Sequence, residues 1–427
     1  MTLYNVLRRT LLGILLVVIV GLAASLALRM YGAHRFSTAK ARFEREAGTL
    51  DPAKYGRPDL ADEDNAVTWI QAGVGATVLF DGDRGLFGNL NEQSPPDWTP
   101  DDRAKLEKIL ERNAPAIALL DRARGMTHSS WRIPYREGME AKLPNLLAGI
   151  NAAKMLRARA KFALSKGDRE TAIGMAEDLG AMARSYESEP VLIVLLIGTA
   201  IERQQQSVVR DLAAEGGLSG AEVVRLGAAI SDIDLSKAFE VSLLFDAAGI
   251  ARDIRRDVFD RAVPHVVVAA VGDLAAAYAL ERYMEIRKSV GQPVTSPLRA
   301  GRELATNPSW WHSLVDLYGP NVANASSRML ATMSSRDLAR LALALRSSAI
   351  SSGSYPAAIP ALSGVASNDP LTGGPRTYAR HDDGSAELSS TTTGEIVKTI
   401  FPAPPSVSIA LYRWTLPAPR NAKARSS

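Results

Sequence analysis

The clearest pattern in this chain is a long uncharged apolar run near its start. Leu11–Leu28 holds 18 residues without a charged side chain, which lets an α-helix cross about 30 Å of hydrocarbon at 1.5 Å per residue. Arg8 and Arg9 precede the run, and Arg29 follows it. The pattern predicts a transmembrane anchor. A cleavable signal peptide is the alternative, but the run exceeds the usual signal-peptide core and no A-x-A site follows it, so a retained signal-anchor is favoured.

Beyond the anchor, apolar residues at three- and four-residue spacing predict helices over most of 63–351. Asp168 and Ser219 are N-cap signals, and Glu222 completes a capping box with Ser219. Short loops between consecutive helices are typical of antiparallel hairpins. The predicted fold class is mainly α: an N-terminal transmembrane helix, an irregular TPR-like helical-hairpin body and a small C-terminal β-hairpin region.

Several boundaries follow from turn-forming residues. The turn-rich stretch Phe80–Pro100 is predicted to be an exposed loop. One helix is expected from Thr99, as N-cap, to about Arg124. A short extended piece is expected at Trp131–Tyr135. The apolar runs Val191–Ile201 and Ala262–Leu280 are too short or too polar to span a membrane, which predicts a single pass.

The end of the chain has different character. The residues around His381-Asp382-Asp383-Gly384 predict a β-hairpin, and Ser408–Leu416 predicts a further strand. The resulting domain organisation is a cytoplasmic tail (1–10), an anchor (11–28), a stalk and linker (29–62), a helical-hairpin domain (63–351), a small α+β region (352–416) and a disordered tail (417–427).

Charge is unevenly distributed. The net charge is +4 and the sequence pI about 9.2, but residues 1–45 carry +6, residues 46–410 carry −6 and residues 411–427 carry +4. A nucleic-acid partner needs a basic face on the folded domain, so none is expected. Basic ends beside an apolar run favour a membrane as partner. We expect the inner (cytoplasmic) membrane, with the body facing the periplasm or cell exterior.

The residues that carry chemistry are few and scattered. The chain has no cysteine and five histidines, which lie far apart. The Asp81-Gly82-Asp83 turn lacks the remaining ligands of an EF-hand, and Trp310-Trp311-His312 is interpreted as a packing anchor. The acids Asp59, Asp62, Glu63 and Asp64 are interpreted as a helix cap. The sequence therefore assigns no catalytic, cofactor-binding or metal-binding residue and no cofactor, and it favours a role other than catalysis.

Several short motifs resemble a family of uncharacterised, membrane-anchored bacterial helical proteins. The most defined runs from 339 to 378 and contains the turn motif Tyr355-Pro356, Asp369-Pro370 with Gly373, and Tyr378. That segment is also similar to the C-terminal part of type II secretion pseudopilins, although no glutamate stands near Leu11 as in a pilus subunit. The resemblance implies an architecture and no activity.

Three functions stay open at this point. We expect an envelope scaffold or protein-binding module, with another envelope protein as partner. The alternatives are an envelope hydrolase whose carboxylates come from distant helices, and an accessory of a type II secretion or pilus system. A cleft holding two or more buried carboxyl groups with raised pKa values would favour the hydrolase. The oligomeric state stays open.

Overall fold

A computed structural model describes residues 3–261, 266–288, 290, 292, 322–390 and 412–419. Helices dominate these residues, as the apolar spacing predicts. The first seven are α1 (Leu3–Glu46), α2 (Ala66–Ala76), α3 (Asp81–Glu92), α4 (Pro100–Arg112), α5 (Ala114–Asp121), α6 (Leu146–Ser165) and α7 (Arg169–Glu187). The next five are α8 (Leu192–Glu215), α9 (Gly220–Ala229), α10 (Leu235–Arg261), α11 (Val266–Lys288) and α12 (Val322–Ser352). A small sheet contains β1 (Thr377–Arg380), β2 (Ala386–Ser389) and β3 (Arg413–Leu416).

Helix α1 is one unbroken helix of 44 residues. Its apolar part is long and apolar enough to cross a membrane, and none of that part is buried inside the protein. The stretch expected to form a separate stalk continues the same helix, and Phe36, Ala39 and Phe43 on one face of it are buried. This part of α1 therefore belongs to the helical body.

The body is built from packed helical hairpins, with α7 and α8 at its centre. Among the described helices, α7 and α8 form the most extensive pairwise contact. Helix α6 packs on both of them. Asp168 and Ser219 cap α7 and α9 through the backbone N–H groups of Thr171 and Glu222, as expected. A buried apolar cluster runs through the hairpins from α1 to the sheet.

Helix α3 lies inside the stretch that was predicted to be an exposed loop, so that prediction is wrong. The carboxylate of Asp83 accepts the N–H of Phe80 at 2.8 Å and caps the helix start. Phe87 and Leu90 are buried, and α3 packs on α6. Tertiary burial and a good cap outweigh the turn propensity of the three glycines within α3.

Three further boundaries differ from the expectation. The helix predicted from Thr99 to Arg124 is divided into α4 and α5 at Asn113, because Pro115 at the start of α5 lacks a backbone N–H donor. Trp131–Tyr135 forms no strand; its last residue begins a 3₁₀ turn, Tyr135–Glu140. The acids at 62–64 form another 3₁₀ turn, whereas the side chain of Asn65 caps α2.

The C-terminal sheet is antiparallel in the order β1-β2-β3. Arg380 pairs with Ala386 across the predicted Asp-Gly turn, and Gly384 takes the positive φ of 81° that this turn requires. Trp414 of β3 is fully buried, where the sheet packs on α8 and α12. Residues 408–411 and 420–427 lie outside the described residues, as does Trp310-Trp311-His312.

The crossing of α7 over the end of α9 supplies a test of this packing. A Cβ at Gly180 would lie 2.1 Å from the carbonyl oxygen of Ala229, whereas a Cβ at Gly227, within α9, meets no atom within 4 Å. We expect Gly180→Ala to lower the free energy of unfolding by about 1–3 kcal/mol. Gly227→Ala should raise it by up to about 1 kcal/mol through helix propensity. Denaturant unfolding of the detergent-solubilised chain measures both, and equal effects would contradict this crossing.

Candidate functional site

A cavity of about 440 Å³ opens between α2, the start of α3, α6 and the end of α7. Trp131 and Tyr186 form its aromatic floor, with ring centroids 4.4 Å apart and planes inclined by 59°. A buried hydrogen bond fixes the indole of Trp131: its N–H donates to the backbone carbonyl of Ser185 at 2.9 Å. The full lining is Gln71, Val74, Gly75, Thr77, Leu79, Arg84, Trp131, Pro144, Asn145, Ala148, Asn151 and Tyr186.

Backbone geometry fixes the position of this aromatic floor. Arg132 has a φ of 52° and is the non-glycine residue with a positive φ among those described; such a conformation costs about 1–3 kcal/mol. Its guanidinium forms an ion pair with Asp62 at 2.7 Å. Gly149 of α6 leaves room for the phenol of Tyr186, because a Cβ there would lie 2.2 Å from the hydroxyl oxygen.

Four polar side chains of the cavity have no hydrogen-bond partner among the described residues. Within the described part of the chain, no residue forms a hydrogen bond or ion pair with the side chains of Gln71, Arg84, Asn145 or Asn151. Each amide offers a donor and an acceptor, and the guanidinium suits a carboxylate. The cavity can therefore donate a hydrogen bond to a peptide C=O group and accept one from a peptide N–H group.

Exposed apolar side chains lie next in sequence to residues that line the cavity. Val78, Phe80, Leu143 and Leu147 are 44%, 62%, 38% and 64% exposed, and their neighbours in sequence line the cavity. Beyond α1, the described residues expose only three other large hydrophobic side chains, Ile193, Val224 and Ile350. Most of the large apolar side chains exposed beyond α1 in the described residues thus adjoin the cavity lining in sequence, which favours an interaction surface there.

A second polar feature is a buried cluster of Glu187, Glu202 and Arg336. The guanidinium of Arg336 donates to both carboxylate oxygens of Glu202, at 2.6 and 2.7 Å, and to Glu187 at 2.9 Å. The side chain of Arg336 is 6% exposed, and both carboxylates are fully buried. The Ser231 hydroxyl also donates to Glu187, at 2.7 Å.

Charge balance in this cluster depends on one proton. Burial raises the pKa of Glu187 well above its ordinary value, and the nearby Glu202 carboxylate raises it further, against the opposing effect of Arg336. With Glu187 neutral, one carboxylate balances one guanidinium, which is the arrangement that a low-dielectric interior tolerates best. The cluster is therefore a structural core element.

The arrangement does not match the cleft that the hydrolase alternative requires. Neither Glu187 nor Glu202 lines the cavity described above. Burial also raises the pKa values of Asp178, Asp246 and Asp337, to about 6, 7 and 6, but these carboxyl groups lie singly on different helices. The described residues contain no group of three metal-ligating side chains, and Asp83 is used in a cap and an ion pair with Arg112.

A cavity of about 480 Å³ beside α6 contains the amine of Lys161. Burial lowers the pKa of Lys161 to about 8. The amine donates to the carbonyls of Leu90, Asn91 and Gln93 at 3.0, 3.1 and 2.5 Å. These carbonyls belong to the C-terminal end of α3, where a cation is favoured, so Lys161 serves as a helix cap.

The turn motif that carried the family resemblance forms a structural junction. Asp369 accepts the N–H of Leu371 at 2.7 Å and the hydroxyl of Ser334, on α12, at 2.9 Å. The Tyr355 hydroxyl donates to the carbonyl of Pro417 at 2.9 Å, and the Tyr378 hydroxyl donates to Pro356 at 2.8 Å. Gly373 has the positive φ of 73° that closes the turn after Pro370. These residues bind the sheet region to α12.

Comparison of the chain with models of protein families, with curated proteins and with solved structures gave no match. The family resemblance in the sequence thus stays a prediction based on its own motifs. Sequence reasoning missed the cavity, because its lining comes from four separate segments and none carries a motif.

The proton on Glu187 gives a stability test. We expect Glu187→Gln to change the free energy of unfolding by less than about 1 kcal/mol below pH 4.5, where the carboxyl is neutral in both states, because glutamine keeps the shape of the neutral carboxyl. Arg336→Met should cost about 3–5 kcal/mol, since it removes the guanidinium that both buried carboxyl groups bind. A carboxyl whose pKa is higher in the folded state loses its stabilising effect as pH rises above about 4.5. The wild type should therefore lose stability relative to Glu187→Gln from pH 4.5 upward, as denaturant unfolding at several pH values measures. A glutamine variant as unstable as Arg336→Met would show that Glu187 is ionised.

Proposed function

We propose that this chain is a single-pass inner-membrane protein whose helical body faces the periplasm or cell exterior and binds another envelope protein. The observation that carries the proposal is the cavity on the aromatic floor of Trp131 and Tyr186, with its unpaired amides and with exposed apolar residues next in sequence to its lining. In this proposal the cavity accepts an extended segment of the partner.

The chemistry of the lining favours a peptide over an apolar ligand. The amides of Gln71, Asn145 and Asn151 line the cavity and can pair with both the N–H and the C=O groups of an extended backbone. The exposed apolar side chains next in sequence to the lining suit the partner's apolar side chains. Arg84 can pair with a carboxylate, either of an acidic side chain or of a chain terminus.

The continuity of α1 supports a scaffold role. A helix that passes without a break from its apolar part into the body would hold the cavity at a fixed height above the membrane. A partner bound there would be kept near the bilayer, which raises its local concentration for further assembly.

The two alternatives have weaker support. A hydrolase needs its carboxyl groups in an accessible cleft, and the Glu187–Glu202 pair lies instead beside Arg336 in the core. A secretion or pilus accessory rests on the resemblance of residues 339–378, whose side chains act in a structural junction. Loss of secretion on deletion of the gene would support that role.

Site-directed photocrosslinking tests the binding site. Leu147, next to the lining residue Ala148, and Val224 on α9 are 64% and 69% exposed, so they are matched positions for a photoreactive amino acid in native membranes. We expect one reproducible crosslinked partner from position 147 and none from position 224. Ala148→Trp, which fills the cavity, should abolish that crosslink while the protein stays folded. The same products from both positions, or an unchanged crosslink in the filled variant, would contradict the proposal.

A pair of C-terminal fusions tests the orientation. Alkaline phosphatase is active only after export, whereas a green fluorescent protein fusion exported in unfolded form stays dark. We expect an active phosphatase fusion and a dark fluorescent fusion, because a large body is exported largely regardless of its flanking charges. The reverse result would place the body in the cytoplasm and would remove envelope proteins as partners.

A further inference from the structure

The start of α6 has backbone donors that the described part of the protein leaves unused. The side chain of Asn145 forms no cap, and the N–H of Leu146 bonds to the carbonyl of Pro144 at 2.7 Å. The next two N–H groups, of Leu147 and Ala148, have no hydrogen-bond partner among the described residues. These are the positions that an N-cap side chain ordinarily serves. Because Asn145 and Ala148 both line the cavity, this helix start forms part of its wall.

A buried hydroxyl without a partner lies at the same helix start. Tyr186 is 1% exposed, and within the described part of the chain nothing forms a hydrogen bond with its hydroxyl. That hydroxyl touches the first turn of α6, since a Cβ at Gly149 would lie 2.2 Å from its oxygen. Burial raises the pKa of Tyr186, so the phenol keeps its proton and stays a donor. A buried donor that lines a cavity and lacks a protein partner points to a ligand there.

The charge of the cavity favours an anion of low charge. Its lining contains no aspartate or glutamate, and Arg84 is its one charged residue. The carboxylate of Asp83, next to Arg84, is already bound by Arg112 and by the N–H of Phe80. The N-terminus of a 20-residue helix adds a positive electrostatic potential. One guanidinium with neutral donors balances the single charge of a carboxylate better than a phosphate group, whose charge approaches −2 at pH 7.

We propose that the cavity binds the free C-terminal carboxylate of the partner, with the α6 N–H groups, the Tyr186 hydroxyl and Arg84 as its donors. This inference rests on the proposed function and specifies which part of the partner enters the cavity. A volume of about 440 Å³ is typical of sites that enclose small ligands, which suits a chain end better than a continuing strand. The terminal residue also carries an amide N–H beside its carboxylate, which Asn145 or Asn151 can bind. Its side chain can pack on Trp131.

Peptide libraries test this inference without a known partner. N-acetyl tetrapeptides of randomised sequence, made as free acids and as C-terminal amides, are incubated with the detergent-solubilised full chain. Peptides that co-elute with the protein in gel filtration are quantified by mass spectrometry. We expect the wild type to retain about tenfold more of the free acids than of the amides, because the amide lacks the charge that strengthens these hydrogen bonds.

Point variants test the individual donors. Arg84→Gln and Tyr186→Phe should each lower the retention of free acids about fivefold to tenfold, and neither removes a hydrogen bond within the described protein. Arg380→Gln, at an exposed arginine on β1 outside the cavity, is the matched control and should leave retention unchanged. Retention of free acids that is equal in all three variants would overturn the assignment of the donors.

An internal carboxylate at the same place separates binding from folding. Asn145→Asp puts an anion at the N-cap of α6, where it stabilises the helix. We expect the midpoint of urea unfolding to rise while the retention of free acids falls about tenfold. Asn145→Ala leaves the N–H donors free and should keep retention within about threefold of the wild type. Unchanged retention in Asn145→Asp would overturn the role of the α6 donors.

The remaining outcomes distinguish this inference from the proposed function. Equal retention of acids and amides by the wild type, lost in Ala148→Trp, would overturn the carboxylate and leave a peptide-binding cavity. Retention only of amides that contain aspartate or glutamate would show side-chain recognition and overturn the inference too. Inorganic phosphate that displaces the peptides at concentrations where acetate does not would indicate a phosphate site, with the same consequence. Retention of neither library would overturn the inference together with the peptide site.

Discussion

The constraint on which much of this structure depends is the end of α7 and the residues just after it, where four residues within 185–189 bind different neighbours. The carbonyl of Ser185 holds the indole of Trp131, and Tyr186 stacks against that indole. Glu187 turns into the core toward Arg336. Glu189, two residues further on, accepts the backbone N–H of Trp131 at 3.1 Å. The cavity floor and the buried charge cluster are thus two faces of one helix end.

A buried guanidinium with two carboxyl groups adds little net stability, because desolvation offsets most of the attraction. Its effect is better understood as positional. Arg336 on α12 reaches Glu202 on α8 and Glu187 on α7 with three hydrogen bonds, and a fourth goes to the carbonyl of Ile233 at 2.5 Å. An alternative packing would leave a charge buried and unpaired, so the cluster selects one arrangement of these helices.

Local signals in the sequence were enough to predict much of the fold. The caps at Thr99, Asp168 and Ser219 form as expected, since each depends on side chains within three residues of the backbone groups that they bind. The hairpin at 377–389 forms for the same reason. Local rules failed at α3, where burial of Phe87 and Leu90 against distant residues outweighs the glycines. The candidate site could not be predicted from local patterns, because its residues are far apart in sequence. Tyr186 and Trp131 are separated by 55 positions, and Arg336 follows Glu187 by 149.

The same geometry explains how a cavity with unpaired amides can persist in a helical body. Burying polar groups without partners is unfavourable, but Gln71 and Asn145 face a cavity that water can fill, so the free protein suffers no large penalty. The aromatic floor is fixed from the core side through Ser185 and Glu189. A ligand entering the cavity therefore meets side chains that are already ordered, and little conformational entropy is lost at the floor on binding. The loss of conformational entropy on binding then falls mainly on the ligand, and hydrogen bonds from the cavity amides to an extended segment can offset it.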